Sequence, residues 1–462
     1  MPCRRAPGSG PPFSDPGGRH AVTELTRGHA IDMTAEPIVY LLWNDLVGIT
    51  RTRGVPKADL ETKLETGLGW ACAGFALTPF DTIVDNDWGP MDEVRQIPDP
   101  RSYFAYQSGV FDEAWEAVIC DSKRGPTEDW DCCPRTFFRH ALEDLRSDAG
   151  LTFVAGVEHE FSLETAVAAE ASFSFAAARR ANGVLQACAA ALRSARLVPE
   201  TLEPEFGPSQ YEISCAPQSG MAAADSAVIA RELIRAVATD HSMRASFSPL
   251  TASGGAGNGA HVHFSLVDRN GENITHDPSQ PLGLSKAAAQ FCAGILAHLD
   301  ALVALTAPSP LSYGRLAPRA RGCAYNTIGV QNRDAALRVV PSASNDPVRR
   351  RRGFNIEYRP SDGCASPYLV LGALVRAGLD GIKRGLSLPA AVDGNPAAVA
   401  RAAAALPASL EAALDAFEAD DVVSSWFSPR LKATYLALKR FEVARAKEID
   451  EAALIAAYKR AY

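Results

Sequence analysis

GVEHEF, residues 156–161, sets two glutamates, Glu158 and Glu160, two positions apart among apolar neighbours. Side chains two apart on a β-strand point to the same face, so the segment reads as a strand offering two carboxylates on one side. Alone, such alternation usually marks a solvated face. Three further segments change its meaning. HVHF (261–264) holds His261 and His263, IEYRP (356–360) holds Glu357 and Arg359, and EFGPSQYEIS (205–214) places Glu205 and Glu212 on either side of a Gly-Pro turn. In the first, second and third of these four, the alternate positions are apolar: Val157 and Phe161, Val262 and Phe264, Ile356 and Tyr358. Each strand can therefore bury apolar groups on one side and present polar ones on the other. Five carboxylates and two imidazoles on a common surface are costly unless cations neutralise the acids. Oxygen-rich donor sets favour Mg²⁺ or Mn²⁺ over Zn²⁺. An anionic pocket holding two such ions is one solution to phosphoryl transfer.

Cations for phosphate follow in the chain. SYGRLAPRARGCAYNTIGVQNRDAALRVVP (312–341) supplies Arg315, Arg333 and Arg338, and Arg349 to Arg352 and Arg359 come next. Arginine forks match carboxylates and phosphates bidentately. Arg349 and Arg350 read as a solvated charge run.

Around these segments the chain divides by texture. Its 462 residues exceed what one hydrophobic core usually fills. Residues 1–36 are Pro- and Gly-rich, begin on a basic stretch and read as a disordered tail, without the apolar run of a secretory signal; Met33 is an alternative start. Residues 37–125 read as a small α+β domain. It opens with two strands in IVYLLWNDLVGITRTRGVP (38–56) turning at Asn44–Gly48, then a helix over 57–66 stopped by Gly67, and a further strand at Trp115–Asp121. From 126 to 462, Ala-rich helical patterns at 134–149, 176–196, 222–241, 285–306, 367–385 and 407–420 alternate with short strands. The net charge of -8 gives no footing for nucleic acid or an anionic membrane. No apolar run approaches the ~20 residues of a bilayer span. The ten cysteines lack CxxC or CxxH spacing and read as reduced core thiols of a cytoplasmic protein.

GVEHEF, EFGPSQYEI, GNGAHVHFSL, SYGRL, NRDAALR, IEYRP and SPYLVLGALVRAGLDGI, in this order, resemble the glutamine synthetase superfamily. The resemblance covers about 37–462 and is strongest in the second part. It implies an α+β fold with a small N-terminal β-grasp domain and a catalytic barrel of antiparallel strands surrounded by helices. It further implies a homo-oligomer, a dodecamer of two stacked hexameric rings, with sites between neighbouring subunits. Carried over residue by residue, it implies one Mg²⁺ or Mn²⁺ held by Glu160, Glu205 and Glu212, and a second held by Glu158, His261 and Glu357. His263 is implied beside ATP, Arg315 and Gly257 at the glutamate substrate, Arg333 and Arg359 at the transferring phosphoryl group, and Arg338 and Arg352 at the ATP phosphates. The implied reaction activates the glutamate γ-carboxylate as an acyl phosphate, which an amine then attacks.

The pattern also departs from the family. A phosphate-binding arginine is replaced by Asn355. A flap position that is acidic in ammonia-using members is Arg321, and no FDGSS-like motif occurs in GFALTPFDTIVDNDWG (74–89). A positive flap residue repels ammonium. The expectation is therefore a γ-glutamyl-amide synthetase using an organic amine, with Arg319 and Arg321 favouring a monoamine or a carboxylate-bearing amine over a dicationic polyamine. An ordinary glutamine synthetase and a catalytically inactive relative are the alternatives; lost metal ligands would mark the latter, and all six matched positions are filled. LPAAVDGNPAAVARAA (388–403) has no tyrosine, so no adenylylation switch is expected there.

Overall fold

Strands β1 (Ile38–Asn44) and β2 (Thr50–Pro56) pair antiparallel through the turn at Asp45–Gly48, as the alternating pattern requires. The computed structural model describes residues 36–107, 114–165, 169–317, 323–392 and 403–462; the N-terminal tail and the flap arginines Arg319 and Arg321 lie outside them, as does most of 388–403. Ile38–Tyr462 form one unit built on two sheets. The first adds β3 (Leu68–Ala71), β4 (Glu93–Pro98), β5 (Phe104–Tyr106), β6 (Trp115–Arg124) and β7 (Glu128–Asp129). Its path is β2-β1-β6-β4-β3, with β1 and β6 parallel, the mixed topology expected of a grasp-like domain. Gly67, at φ +60°, ends the helix Leu60–Thr66.

The second sheet carries the chemistry. It comprises β8 (Thr152–Glu164), β9 (Pro199–Pro204), β10 (Gln210–Cys215), β11 (Gln218–Ser219), β12 (Arg244–Ser246), β13 (Ala260–Val267), β14 (Tyr325–Val330), β15 (Ala335–Val340), β16 (Asn355–Tyr358) and β17 (Ala404–Ala405). The path runs β17-β14-β15-β16-β13-β8-β10-β9, antiparallel except for the β14–β15 pair. One face is apolar: Phe153, Ala155, Phe161, Val262, Phe264, Ile356 and Tyr358 are all buried.

Helices α1 (Pro134–Ala149), α2 (Met221–Asp240), α3 (Lys286–Ala297) and α4 (Pro367–Arg384) are among those that cover this side, with α4 packed on both α1 and α3. α1 starts on Pro134 and stops at Gly150, φ +69°, as read from its sequence. The helix expected over 285–306 is broken: α3 and Leu299–Thr306 meet at His298 with a bend of 78°. His298 leaves helical geometry and its ring contacts Asp420 at 2.6 Å and Asp380 at 3.1 Å. Among the described residues no single helix is long and apolar enough to cross a membrane; this bent pair meets the length and composition, but its halves lie in the core.

One guanidinium ties the first sheet to the helices that cover the second. Arg135 of α1, 3% exposed, donates to Asp121 on β6, to Asp99 beside β4, and to Asp225 of α2 at 2.8–3.0 Å. Asp225 also accepts from the Tyr368 hydroxyl. A buried cation shared among three carboxylates is stable only when all are in place. It fixes the helix layer against which the catalytic sheet rests.

Candidate active site

The polar face of the second sheet is ordered by strand register. Glu160 pairs with Glu212, and Glu212 with Glu203, across β8, β10 and β9. One step along β8, His261, Glu158, Ser214 and Thr201 form a second transverse row across β13, β8, β10 and β9. A third row runs Arg338, Glu357, His263, Gly156 across β15, β16, β13 and β8. Facing side chains in adjacent strands sit about 5 Å apart. Period-two alternation within each strand thus becomes a grid of acids, imidazoles and an arginine.

These rows floor a cavity of about 1010 Å³. Glu158, Glu160, Glu205, Glu212, His261, His263, Gly257, Arg315, Arg333, Arg338, Arg352 and Arg359 all line it. Glu357 is fully buried beneath, and Arg321 is outside the described residues. His261 Nδ1 lies 3.4 Å from Glu158, 3.6 Å from Glu357 and 3.7 Å from Glu160. Among the described residues, three groups bring their ligand atoms within 4.8 Å of one another: Glu158, His261 and Glu357; Glu160, Glu212 and His261; Glu203, Glu205 and Glu212. Glu203 has no place in the reading of the sequence. Its signal was its position two before Glu205, but only the β9–β10 pairing shows that it joins Glu212.

At one end of the cavity, Gln210 organises the main chain. Its amide donates to Gly257 O at 2.8 Å and to Asn258 Oδ1 at 2.9 Å, and its carbonyl accepts from Gly207 N–H. Gly259 N–H donates to Glu160 at 2.8 Å. The short helix Ser312–Leu316 brings in Arg315, whose Nη2 donates to Ser361 O at 2.8 Å. A Cβ at Gly257 would stand 2.4 Å from Arg315 Cγ, so only glycine fits there. At the other end, Asn355, which replaces the expected arginine, instead contacts His263 Nδ1 at 2.8 Å. Arg352 is exposed at this rim and Arg333 is exposed at the opening. Arg359 and Arg338 both donate to Glu357, the latter at 2.5 Å.

His159, between the two glutamates of GVEHEF, points the other way. Its Nε2 meets Ala227 O of α2 at 3.0 Å, and burial pushes its pKa down to about 3. It is a core residue of the strand that positions its neighbours.

The charges are unbalanced within the site. Burial, then the closeness of Glu158, Glu160 and Glu205, pushes Glu212 up to about 9. Burial and Glu160 push Glu205 up to about 7. Burial would also raise Glu158 and Glu357, but His261 and His263 hold Glu158 below the ordinary carboxylate range, and Arg359, with both histidines and Arg338, does the same for Glu357. Acids that must take up protons to coexist fit divalent cations, which would replace those protons. The donor set, carboxylate oxygens with one imidazole, suits Mg²⁺ or Mn²⁺. The Nε–H groups of Arg315, Arg338 and Arg359 are buried without a partner among the described residues, and they suit an anionic ligand.

A pH experiment follows from these shifts. Glu205 and Glu212 have folded pKa values above their unfolded value near 4.5, so their stabilising contribution is complete below that pH. It is lost as pH rises through about 7 and then about 9. In chelator, the Tm is expected to fall by several degrees between pH 6 and 9, and excess Mg²⁺ to remove most of that fall. A chelated protein with a level Tm across this window would mean that the acids are already ionised and unstrained.

The site is that of an enzyme joining phosphate chemistry to a carboxylate substrate on an antiparallel sheet. Family models for the glutamine synthetase N-terminal domain and the glutamine synthetase catalytic domain match residues 26–120 and 131–454, and the chain belongs to the glutamine synthetase family. It is similar to the gamma-glutamylpolyamine synthetase GlnA3 of Streptomyces coelicolor, 33% identical over 470 residues, covering 97% of this chain and 98% of the relative. It is also similar to the glutamine synthetase of Pyrococcus furiosus, 30% identical over 399 residues, covering 83% and 85%. A crystal structure of a novel glutamine synthase homolog superposes with a TM-score of 0.87 at 37% identity, covering 93% of this chain and 99% of that one. The ligase class and the α+β fold, with a small N-terminal β domain and a larger catalytic domain of sheet and helices, expected from the seven motifs, are borne out.

Proposed function

We propose that the protein joins an organic amine to the γ-carboxylate of glutamate at the expense of ATP. The observation that carries this reading is the meeting, in one cavity, of the acid grid with Arg315, Arg338 and Arg359, whose buried Nε–H groups have no partner among the described residues. Glu158, His261 and Glu357 would hold one Mg²⁺ or Mn²⁺; Glu160, Glu205 and Glu212, with Glu203 adjoining, would hold another. When bound, these ions neutralise charge on the transferring phosphoryl group.

The chain's own residues do the rest. Arg315 and the Gly257 main chain bind the glutamate α-carboxylate end. Arg333 and Arg359 face the phosphoryl group passing from ATP to the γ-carboxylate, and Arg338 and Arg352 face the remaining ATP phosphates. His263, set by Asn355, lies beside the nucleotide. The resulting acyl phosphate has a good leaving group, and a neutral amine attacks it, forming the amide and releasing phosphate. The division of the chain into an N-terminal domain over 37–125 and a catalytic domain over 126–462, a dodecamer of stacked rings and a cytoplasmic location are parts of the same proposal, supported by kinship with the family.

For the acceptor, the similarity to a polyamine synthetase favours an amine with a carbon chain, whereas Arg319 and Arg321 in the flap argue against a dication. Phosphate release and product mass, measured with Mg²⁺ or Mn²⁺ over ammonium, alkylamines, amino acids and polyamines, decide the matter. Organic amines are expected to exceed ammonium in kcat/KM by at least about tenfold, roughly the 1.4 kcal/mol of one modest contact. Ammonium turning over as well as every organic amine would defeat the acceptor reading and leave an ordinary glutamine synthetase.

A further inference from the structure

Three segments build the end of the cavity that holds Arg315, and they meet again outside it. The chain over 246–258 carries Gly257, the short helix Ser312–Leu316 carries Arg315, and Ser361, whose carbonyl oxygen accepts from Arg315, lies three residues before Cys364. Each segment sends one buried side chain, Leu250, Leu311 and Cys364, into a small apolar cluster that stands apart from the main core. Among the described residues, the other buried members of that cluster come from one element, the helix Glu451–Ala461 and the residue after it: Leu454, Ile455, Tyr458 and Tyr462. Leu250 is the pivot. It pairs with Gly257 across the loop, and a Cβ added at Gly314 would stand 2.6 Å from its Cδ1, so it also touches the residue beside Arg315.

Polar ties fix the helix at both ends. Glu451 accepts from Ser253 Oγ at 2.6 Å, and the Tyr462 carbonyl oxygen accepts from Phe247 N–H at 3.0 Å; both partners belong to the chain that carries Gly257. The Tyr462 hydroxyl donates to Val47 O at 2.6 Å, and the Tyr458 hydroxyl donates to Glu442, which is buried against Lys439. The two tyrosine rings stack with centroids 5.8 Å apart. A close-packed cluster has little slack, so volume removed from it loosens whatever it touches. Arg338, on β15, and Arg352, on the helix Pro347–Gly353, lie on segments that contribute nothing to it.

Resting on the reading of the site as a glutamate–amine ligase, we propose that the helix Glu451–Ala461 is the positioning element of the glutamate subsite, with Ile455 and Leu454 as its positioning residues. By packing on Leu250, Leu311 and Cys364 together, it holds the Gly257 main chain and Arg315 at one separation, the one that a single substrate molecule spans. The ATP phosphates, at the other end of the cavity, do not depend on it.

The test compares two matched substitutions in the full chain. Ile455→Ala hollows the cluster, and Ile295→Ala, on α3, removes the same atoms from the main core. Both are expected to lower the Tm. Below both Tm values, Ile455→Ala is expected to lower kcat/KM for glutamate about tenfold or more, through KM, within the roughly 100-fold that a misplacement of about 1 Å can cost, while KM for ATP moves less than about twofold. Ile295→Ala is expected to leave the ratio of the two KM values as in the native enzyme, and Ile455→Val, one methylene shorter than the native side chain, to recover most of the glutamate KM. An unchanged KM for glutamate in Ile455→Ala, an equal loss for glutamate and ATP, or the same selective loss in Ile295→Ala would each overturn the proposal and leave the helix a staple of the fold. Should Ile455→Ala not fold, hydrogen exchange on Ile455→Val decides: amides of 246–258 exchanging faster than in the native protein, with those of 335–352 unchanged, support the proposal, and any other pattern overturns it. If the native enzyme releases phosphate without regard to glutamate, it is the reading of the site as a glutamate–amine ligase that fails.

Discussion

Glu357→Gln is expected to lower ATP- and glutamate-dependent phosphate release by at least about 10³-fold, the scale on which loss of one charge-stabilising group in a preorganised site is felt. The residue is fully buried, accepts from Arg338 and Arg359, and lies 3.6 Å from His261. The amide preserves shape but removes the charge that both guanidiniums and both imidazoles answer to. Breaking a buried ion pair at one partner costs about 3–5 kcal/mol, so the Tm should fall as well. The two effects can be separated. Below the variant's Tm, a purely structural role would restore near-normal turnover per folded molecule; a role in holding metal would leave turnover low and raise the Mg²⁺ requirement. Native-like activity at ordinary Mg²⁺ would remove Glu357 from the site.

Arg315→Met is expected to raise KM for glutamate about 100-fold or more while moving KM for ATP less than about threefold. Arg315 is 3% exposed and is held from behind by Ser361 O, with its Nε–H unpartnered among the described residues. Each charge-assisted hydrogen bond contributes about 1.5–3 kcal/mol, and two to one carboxylate account for the factor. Methionine keeps most of the apolar volume against Gly257, which separates charge from packing. Equal rises in both KM values would show that the residue shapes the whole cavity rather than one carboxylate.

The parts of this site that were legible in the sequence are those written into single strands. GVEHEF, HVHF and IEYRP show their facing residues through period two, and the core-facing His159 and Val262 confirm the alternation. Glu203 escaped because its role depends on β9 lying beside β10, a pairing that no local pattern encodes. Gln210 and Asn258 escaped for a related reason: they work by tying main chain from two segments together. The break at His298 was invisible because Ala-rich helical spacing continues through it; the two aspartates that hold the ring come from distant parts of the chain, Asp380 on α4 and Asp420 between two later helices. The helices Pro429–Glu448 and Glu451–Ala461 were missed because their exposed faces carry many charges and their apolar stripes are thin.

The transverse rows have a further consequence for how such an enzyme can diversify. The spacing of acids, imidazoles and Arg338 is set by hydrogen-bonded backbone, a lattice whose step is nearly the same in every sheet. Changing that spacing requires a shift of register that turns a whole strand inside out. The connections between strands answer to no such lattice, and substitutions in them leave the paired rows in register, although Glu205, which lies on one of them, belongs to the acid cluster itself. The rows and the loops are thus separate parts of the architecture: the first are fixed by backbone geometry, and the second can change without shifting it.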